Sequence, residues 1–206
     1  MRVGIRYTHA GAVLRDHPKG KWIFVHLLND CGSDRSGIYD EGLANFYLDD
    51  LFAFEAVVLV PSRPVQENLS KNLIGPWAVA MHNPVYSMIA KPSSTKYQNS
   101  NQWLLEIVAV SMAPAGTVVS RAQAQAYLAA TGYSGDLVRI STLRRLGAGL
   151  TRANVRFDDH SEDESAAEKY EVVSVRSMVR WLEKNDKLVL KKMISLDKLD
   201  SDPVKY

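Results

Sequence analysis

The sequence predicts an α+β fold in which an antiparallel sheet packs with helices. Two observations predict it: two strand-like segments near the N-terminus are joined by a short loop, and the later elements are mostly helical without regular alternation with strands. The chain has 206 residues, of which 46% are hydrophobic and 23% are charged. This length and composition suit one folded domain, or a domain with an appendage, that buries a substantial core.

The first two elements are a predicted strand pair that carries one histidine on each strand. Residues 3–14 and 21–29 show the alternation of half-buried strands. The intervening "RDHPKGK" contains the proline and glycine of a turn, so an antiparallel hairpin is expected. His9 and His26 lie near the middle of these strands. One histidine on an apolar strand is commonly a hydrogen-bonded core residue, but two on facing strands are also candidates for a base and the group that orients it.

Periodicity, prolines and capping residues predict the remaining elements. In chain order they are a helix over "YDEGLANFYLDDLFAFE", a buried strand over "EAVVLVPS", a helix over "RPVQENLSKNLI", an extended segment over "NPVYSMIAKPSS", a helix over residues 98–112, a helix over "SRAQAQAYLAATG", a short helix over "SVRSMVRWLEKND" and a strand or helix over "KLVLKKMISL". We expect a core over residues 1–114 and a helical extension over residues 115–206, together forming one domain.

Composition argues against several classes of function. The net charge of +2 is too small to imply nucleic acid or an anionic membrane as a partner. No run approaches the roughly 18 apolar residues of a membrane-spanning helix, and the N-terminal "MRVGIRYTHAGAVL" lacks the apolar region of a signal peptide. Nothing in the sequence indicates a cofactor.

Cys31 is the only cysteine, so no disulfide forms within the chain. A buried, inert thiol is the expected state, because free cysteine is usually a small core residue. Two alternatives stay open: a nucleophile with His26 as its base, and half of a bridge to a segment outside this sequence.

Two charged stretches are candidates for ligand binding, each with a simpler explanation. The acidic stretch "DDHSEDESAAE", which includes His160, is a candidate cation site but lacks the spacing and glycine of a calcium loop. A mobile surface loop without a metal is therefore expected. Five arginines without an intervening acid are candidates for binding an anionic ligand: Arg139, Arg144, Arg145, Arg152 and Arg156. Surface solubility is the expected explanation for them.

Ser100 lies where a helix is predicted to begin, within "KYQNSNQWLLEIVAV". Small polar residues there are typical helix caps. A helix N-terminus also stabilises developing negative charge, so a serine at that position is a candidate nucleophile if a histidine acts as its base. The sequence contains no G-x-S-x-G motif around Ser100, which argues against an α/β-hydrolase.

Six phrases occur in order between about residues 4 and 182: "YTHAGAVLRDHPKGKW", "VHLLNDCG", "YDEGLANFYLDDLFAFEA", "STKYQNSNQWLLE", "SRAQAQAYL" and "LTRANVRFDDH". Together they resemble the bacterial family called domain of unknown function 2145 (DUF2145). Members of that family usually begin with an export signal and a further N-terminal segment, so the resemblance implies a periplasmic or exported protein. This chain opens directly in the first predicted strand, which indicates either a truncation or a different start site.

A second resemblance bears on mechanism. The strand with "THAGAVL", the second strand with a histidine and the helix start "YQNSNQW" are similar to the circularly permuted papain-like (NlpC-type) superfamily. That resemblance implies His9 as the base, His26 as the orienting residue and Ser100 in the position of the nucleophilic cysteine. It also implies that Asn99, Asn101 and Trp103 beside it contact substrate. The departure is the serine, where relatives have cysteine.

These resemblances imply an envelope-associated hydrolase or acyltransferase that acts on an amide or ester bond. The alternative from another class is a non-catalytic protein that keeps the fold and binds a peptide, a glycan or a lipid-like ligand in its cleft. The sequence leaves both hypotheses open, and the experimental discriminator is whether His9 is aimed at Ser100.

Overall fold

The computed structural model describes residues 6–47 and 53–195. The elements, in chain order, are β1 (Ala12–His17), β2 (Gly20–Asn29), β3 (Ser36–Gly42), α1 (Leu43–Tyr47), β4 (Glu55–Pro61), α2 (Arg63–Ile74), α3 (Trp77–Ala80), α4 (Ser100–Met112), α5 (Arg121–Ala130), β5 (Asp136–Arg139), α6 (Thr142–Thr151), α7 (Glu162–Ala166), β6 (Lys169–Val172), α8 (Val175–Lys184) and β7 (Leu188–Ser195).

The fold is mixed α/β, with small antiparallel sheets and helices, as the α+β prediction requires. Within the described residues, one sheet has the order β1-β2-β3, and two further sheets pair β4 with β7 and β5 with β6. Each pair is antiparallel. The segment beyond residue 115 therefore contributes strands as well as helices, while the proposed boundary at residue 114 stays a prediction.

The predicted N-terminal hairpin is present, but its first strand is shorter than expected. β1 begins at Ala12, and residues 7–11 have no regular secondary structure. Residues 3–5 of that prediction lie outside the described part of the chain. The segment before β1 is held instead by a tertiary contact, since the Asn101 side chain donates to the backbone oxygen of Thr8 at 3.2 Å.

The predicted helix over residues 39–55 is wrong in its first turn. Asp40 and Glu41 belong to strand β3, which pairs with β2 throughout its length. Their carboxylates face partners across the sheet, where Asp40 lies 2.9 Å from Lys19 and Glu41 lies 2.7 Å from His26. The helical spacing is correct only for Leu43–Tyr47, and residues 48–52 lie outside the described residues.

Helix α4 forms the centre of the main core. Asn99 caps it by accepting a 2.8 Å hydrogen bond from the Gln102 backbone N–H. Almost every residue of the helix is buried, because it packs against α2, α5 and β2. Trp103 is fully buried, and its indole N–H donates to the Ala78 carbonyl at 3.0 Å. A helix buried on all sides provides a rigid support for its own N-terminus.

The predicted helices over residues 63–74, 98–112, 120–132 and 174–186 are confirmed, as is the strand over residues 55–62. The acidic stretch is the clearest correction, because it is not a mobile loop. It contains helix α7, which begins with a reciprocal capping box between Ser161 and Glu164. The side chains of Asp159 and His160 are completely buried, and the His160 ring lies 5.1 Å from the Tyr170 ring.

Candidate functional site

The two histidines predicted from the strand pair are in contact. His9 Nε2 lies 3.0 Å from His26 Nδ1. On the far side of His26, its Nε2 lies 2.7 Å from a carboxylate oxygen of Glu41, although the oxygen is off the ideal line of the ring N–H. The side chains of Glu41 on β3, His26 on β2 and His9 before β1 therefore contact one another in that order.

The contact between His26 and the Glu41 carboxylate favours one tautomer of the two histidines. A carboxylate only accepts, so the His26 proton sits on Nε2 and its Nδ1 becomes an acceptor. In that tautomer His9 donates from Nε2 to His26 Nδ1. Burial lowers the pKa of His26 below its ordinary value against the opposing effect of Glu41, which is consistent with a neutral His26.

Aromatic side chains cover the histidine pair. The Phe46 ring lies 6.0 Å from each imidazole, measured between ring centroids. Phe46 stacks on Phe24 at 4.0 Å, and Phe24 in turn meets His26 edge-on at 4.9 Å. Gly11 makes this packing possible, because a Cβ at that position would lie 2.4 Å from the Phe24 ring. The apolar cover excludes water and explains why His26 exposes only 2% of its surface.

Ser100 is the first residue of α4, and of the three candidate caps Asn99, Ser100 and Asn101 it is Asn99 that caps the helix. Ser100 exposes 7% of its surface. Burial raises the pKa of the Tyr86 hydroxyl, and hydrogen bonds with the side chain and backbone of Ser100 oppose that rise. Ser100 and His9 lie on adjoining segments, because Asn101 bonds to the Thr8 backbone at 3.2 Å. The pairing of Ser100 with His9 stays a prediction.

The three residues expected to contact substrate have different environments. Asn99 is occupied with capping α4, and Trp103 is packed in the core without exposed surface. Asn101 is the residue that best fits the expectation. Its side-chain nitrogen holds the Thr8 carbonyl, while its side-chain oxygen is buried without a hydrogen-bond partner among the described residues. An unpaired acceptor beside Ser100 suits a donor on a bound ligand.

A buried polar network holds the backbone that leads into Ser100. The Glu106 carboxylate, on α4, accepts from Arg121 at 2.8 and 3.1 Å and from the Gln98 and Gln125 side chains at 2.6 and 2.9 Å. Arg121 also donates to the carbonyls of Thr95 and Tyr97. Burial raises the pKa of Glu106 and the Arg121 guanidinium opposes that rise. The network ties α4 and α5 to the segment before Ser100.

The other candidate binding groups predicted from the sequence do not join the site around His9, His26 and Ser100. Cys31 is exposed, so the expectation of a buried thiol is wrong. Within residues 6–47 and 53–195, no three His, Cys, Asp or Glu side chains come together as a metal site. A cavity of about 530 Å³ is lined by Gly32, Thr151, Arg152, Ala153, Val155, Arg156, Phe157 and Asp158, and none of the three candidate catalytic residues lines it.

Two residues of the site were missed from the sequence. Glu41 was assigned to the first turn of a helix, whereas the alternation in "SGIYDEG" is the signal for the strand that carries it. Tyr86 lies in an extended segment that forms isolated bridges to Gln98 on one side and, through Val85, to Arg35 on the other. Only a contact between distant segments brings the Tyr86 hydroxyl to Ser100.

In the described part of the chain, no helix is both long enough and apolar enough to span a membrane. A comparison with family models matches residues 1–182 to a family described as "Uncharacterized protein conserved in bacteria (DUF2145)". No curated protein and no solved structure matches the chain significantly. Because the match covers most of the sequence and agrees with the shared phrases noted above, the chain belongs to the DUF2145 family of bacterial proteins.

Proposed function

We propose that this protein is a bacterial envelope-associated hydrolase or acyltransferase of permuted papain-like fold, with Ser100 as its nucleophile. One observation carries the proposal: His26 lies between Glu41, at 2.7 Å, and His9, at 3.0 Å, and the Asn101–Thr8 hydrogen bond joins the segment of His9 to the start of α4. A histidine whose second nitrogen is bonded to an orienting group is the arrangement of a general base.

In the proposed reaction, the Ser100 hydroxyl attacks the carbonyl carbon of an amide or ester. His9 Nδ1 takes the hydroxyl proton as the new C–O bond forms. The first backbone N–H groups of α4 stabilise the oxyanion, with the helix dipole adding to their effect. The proton then passes from His9 to the leaving amine or alcohol, and water or a second acceptor takes the acyl group from Ser100.

His26 and Glu41 act through His9 in this proposal, as positioning residues. In the proposed tautomer Glu41 keeps the His26 proton on Nε2 and His26 keeps the His9 proton on Nε2, so that Nδ1 is the nitrogen of His9 that acts as the base. The positive charge that forms on His9 is stabilised through its hydrogen bond to His26 and through the contact of His26 with the Glu41 carboxylate. The unpaired Asn101 side-chain oxygen favours an amide substrate, because an amide N–H can donate to it.

Two observations favour the alternative, a non-catalytic protein that binds a peptide, glycan or lipid-like ligand. Hydrogen bonding with Ser100 opposes the rise in the pKa of the Tyr86 hydroxyl that burial causes, which gives Ser100 a structural role beside Tyr86. In addition, His26 alternates along β2 with Val25 and Leu27, which are part of the core that contains α4. Alternation along a strand places the His26 ring on the opposite face of the sheet.

A fluorophosphonate probe with intact-mass detection and peptide mapping distinguishes the two. The catalytic proposal predicts one adduct, located on Ser100, that disappears in Ser100→Ala. Ser120→Ala is the matched control, because Ser120 also stands at a helix N-terminus, where it caps α5. An unmodified wild-type protein, or an adduct on another residue, would overturn the catalytic proposal and favour the binding protein.

A further inference from the structure

Three side chains at and just before α7 hold a segment that runs beside α4. We name them the α7 latch: Asp159, His160 and Glu164. The Lys91 backbone N–H donates to Asp159 at 2.8 Å, and the Lys91 ammonium donates to Glu164 at 2.6 Å. His160 Nε2 lies 2.8 Å from the Ile89 carbonyl oxygen. Each member of the latch therefore contacts the segment that contains Ile89 and Lys91.

The same segment supports the first turn of α4. The Gln102 side chain donates to the Lys91 carbonyl at 3.2 Å, while the Gln102 backbone N–H donates to the cap residue Asn99 at 2.8 Å. The Asn99 side-chain nitrogen in turn donates to the Met88 carbonyl at 3.5 Å. A shift of the segment would therefore be transmitted to the start of the helix.

Both ring nitrogens of His160 face groups that only accept hydrogen bonds. Nε2 faces the Ile89 carbonyl oxygen at 2.8 Å, and Nδ1 faces a Glu164 carboxylate oxygen at 3.2 Å. Burial raises the pKa of Glu164, but hydrogen bonds from Lys91 and the Ser161 backbone outweigh that effect and hold the pKa at about 2. Glu164 is therefore ionised at neutral pH. An imidazolium donates to both acceptors, whereas a neutral ring donates to only one.

The surroundings of His160 favour the imidazolium, and its side chain has no surface exposed to water. Among the described residues, the titratable side chains against its ring are Glu164 at 3.2 Å, Asp159 at 3.7 Å and Tyr170, whose ring centroid lies 5.1 Å away. Lys91 pairs with the other oxygen of Glu164. Burial raises the pKa of Asp159, and the Lys91 backbone N–H and His160 oppose that rise. With both carboxyl groups ionised, the charges of the cluster balance.

The loss of one proton from His160 would break one contact in particular. The remaining proton stays on Nδ1, facing the Glu164 carboxylate, because a hydrogen bond to a charged acceptor is stronger than one to a neutral carbonyl. The Nε2 lone pair then faces the Ile89 carbonyl oxygen at 2.8 Å, where two acceptors repel each other. We propose that His160 is a proton switch, which closes the α7 latch as an imidazolium and, on losing one proton, releases the segment that supports α4.

This proposal is independent of Ser100 chemistry, and NMR of the full-length protein tests it. The ring nitrogens of His160 report its protonation, because protonated and unprotonated imidazole nitrogens have distinct chemical shifts. We expect both nitrogens to be protonated at about pH 6 and one of them to lose its proton at higher pH. Hydrogen exchange of the Lys91 amide, which Asp159 holds, should then become about 10–100-fold faster after correction for the intrinsic rate, because one buried hydrogen bond is lost.

Two variants separate the switch from its surroundings. His160→Gln has no ring to titrate, so exchange of the Lys91 amide should be fast and its corrected rate should no longer change with pH. Lys96→Gln is the matched control, because Lys96 forms an exposed ion pair with Asp158, at 2.6 Å, beside the latch. Its exchange should follow that of the wild type.

The proposal is overturned if His160 is neutral at about pH 6, or if exchange of the Lys91 amide is unchanged when His160 loses a proton. It is also overturned if His160→Gln keeps the pH dependence of the wild type. The two measurements on the wild type decide the proposal without the variant, should His160→Gln fail to fold.

Discussion

Removing the guanidinium of Arg121 should destabilise the protein strongly. Arg121→Met keeps an apolar side chain of similar length but removes the cation that faces Glu106 at 2.8 and 3.1 Å. The two side chains are only 9% and 0% exposed, so water does not replace the lost contacts. The carbonyls of Thr95 and Tyr97 also lose their donor. Removing one partner of a buried ion pair costs about 3–5 kcal/mol of unfolding free energy.

Urea unfolding of the wild type and of Arg121→Met measures the difference in unfolding free energy directly. In a thermal melt, each kcal/mol of that difference corresponds to a fall of about 2–4 °C in Tm for a domain of this size. Arg63→Met is the matched control, because the Arg63–Glu67 pair is 89% and 56% exposed. Its cost should be about 0.5 kcal/mol or less. If Arg121→Met costs no more than Arg63→Met, the reasoning about the buried network is refuted.

The loss of unfolding free energy in Arg121→Met should also depend on pH. Arg121 opposes the rise in the pKa of Glu106 that burial causes, so that pKa rises further without the guanidinium. A carboxyl group whose pKa is raised on folding binds its proton more tightly in the folded state. The difference in unfolding free energy between the wild type and Arg121→Met should therefore be smaller at acidic pH and should increase as the pH rises. A deficit that is constant between pH 5 and pH 8 would contradict this assignment.

Other predictions concern the histidine pair and its surroundings. Gly11→Ala should cost about 1–3 kcal/mol, because the new methyl group would lie 2.4 Å from the Phe24 ring. Gly42→Ala, where no atom lies within 4 Å of the added methyl group, is its control, and equal costs would contradict the packing argument. Burial lowers the pKa of His26 and of His82 from 6.5, so the unfolded chain binds more protons below that pH. Unfolding free energy should thus fall as pH drops below 6.5, by up to about 1.4 kcal/mol per pH unit for each histidine. In His82→Gln this slope should be smaller, and an unchanged slope would refute the contribution of that residue.

Elements with local signals were predictable from the sequence. The helix over residues 63–74 has a proline in its first turn, and helix α5 has a serine cap with glutamine three residues later. The start of α4 and the pairing of the first two strands are encoded in the same way, which is why His9 and His26 were identified as a pair. These signals depend only on residues close in sequence.

The features that could not be predicted from the sequence depend on contacts between segments that are distant in the chain. Glu41 follows a pattern that fits a helix, and only pairing with β2 makes its segment a strand. The acidic stretch is highly charged, yet Lys91, far away in sequence, pairs with Glu164 at 2.6 Å and donates from its backbone to Asp159 at 2.8 Å. Hydrogen bonds from the Lys91 side chain, from the Ser161 and Glu171 backbones and from His160 lower the pKa of Glu164 to about 2, against the effect of its burial. Composition alone favours a solvated loop at such a position.

The rate of fluorophosphonate labelling at Ser100 tests the central proposal most directly. A general base contributes about 10²–10⁴-fold to a reaction of this type. The account predicts that His9→Gln slows labelling of Ser100 by at least about 100-fold while the protein remains folded. Glu41→Gln should have a smaller effect in the same direction, because Glu41 acts on His9 only through His26. Labelling of Ser100 at the same rate in the wild type and His9→Gln would contradict the proposed role of His9 as the base.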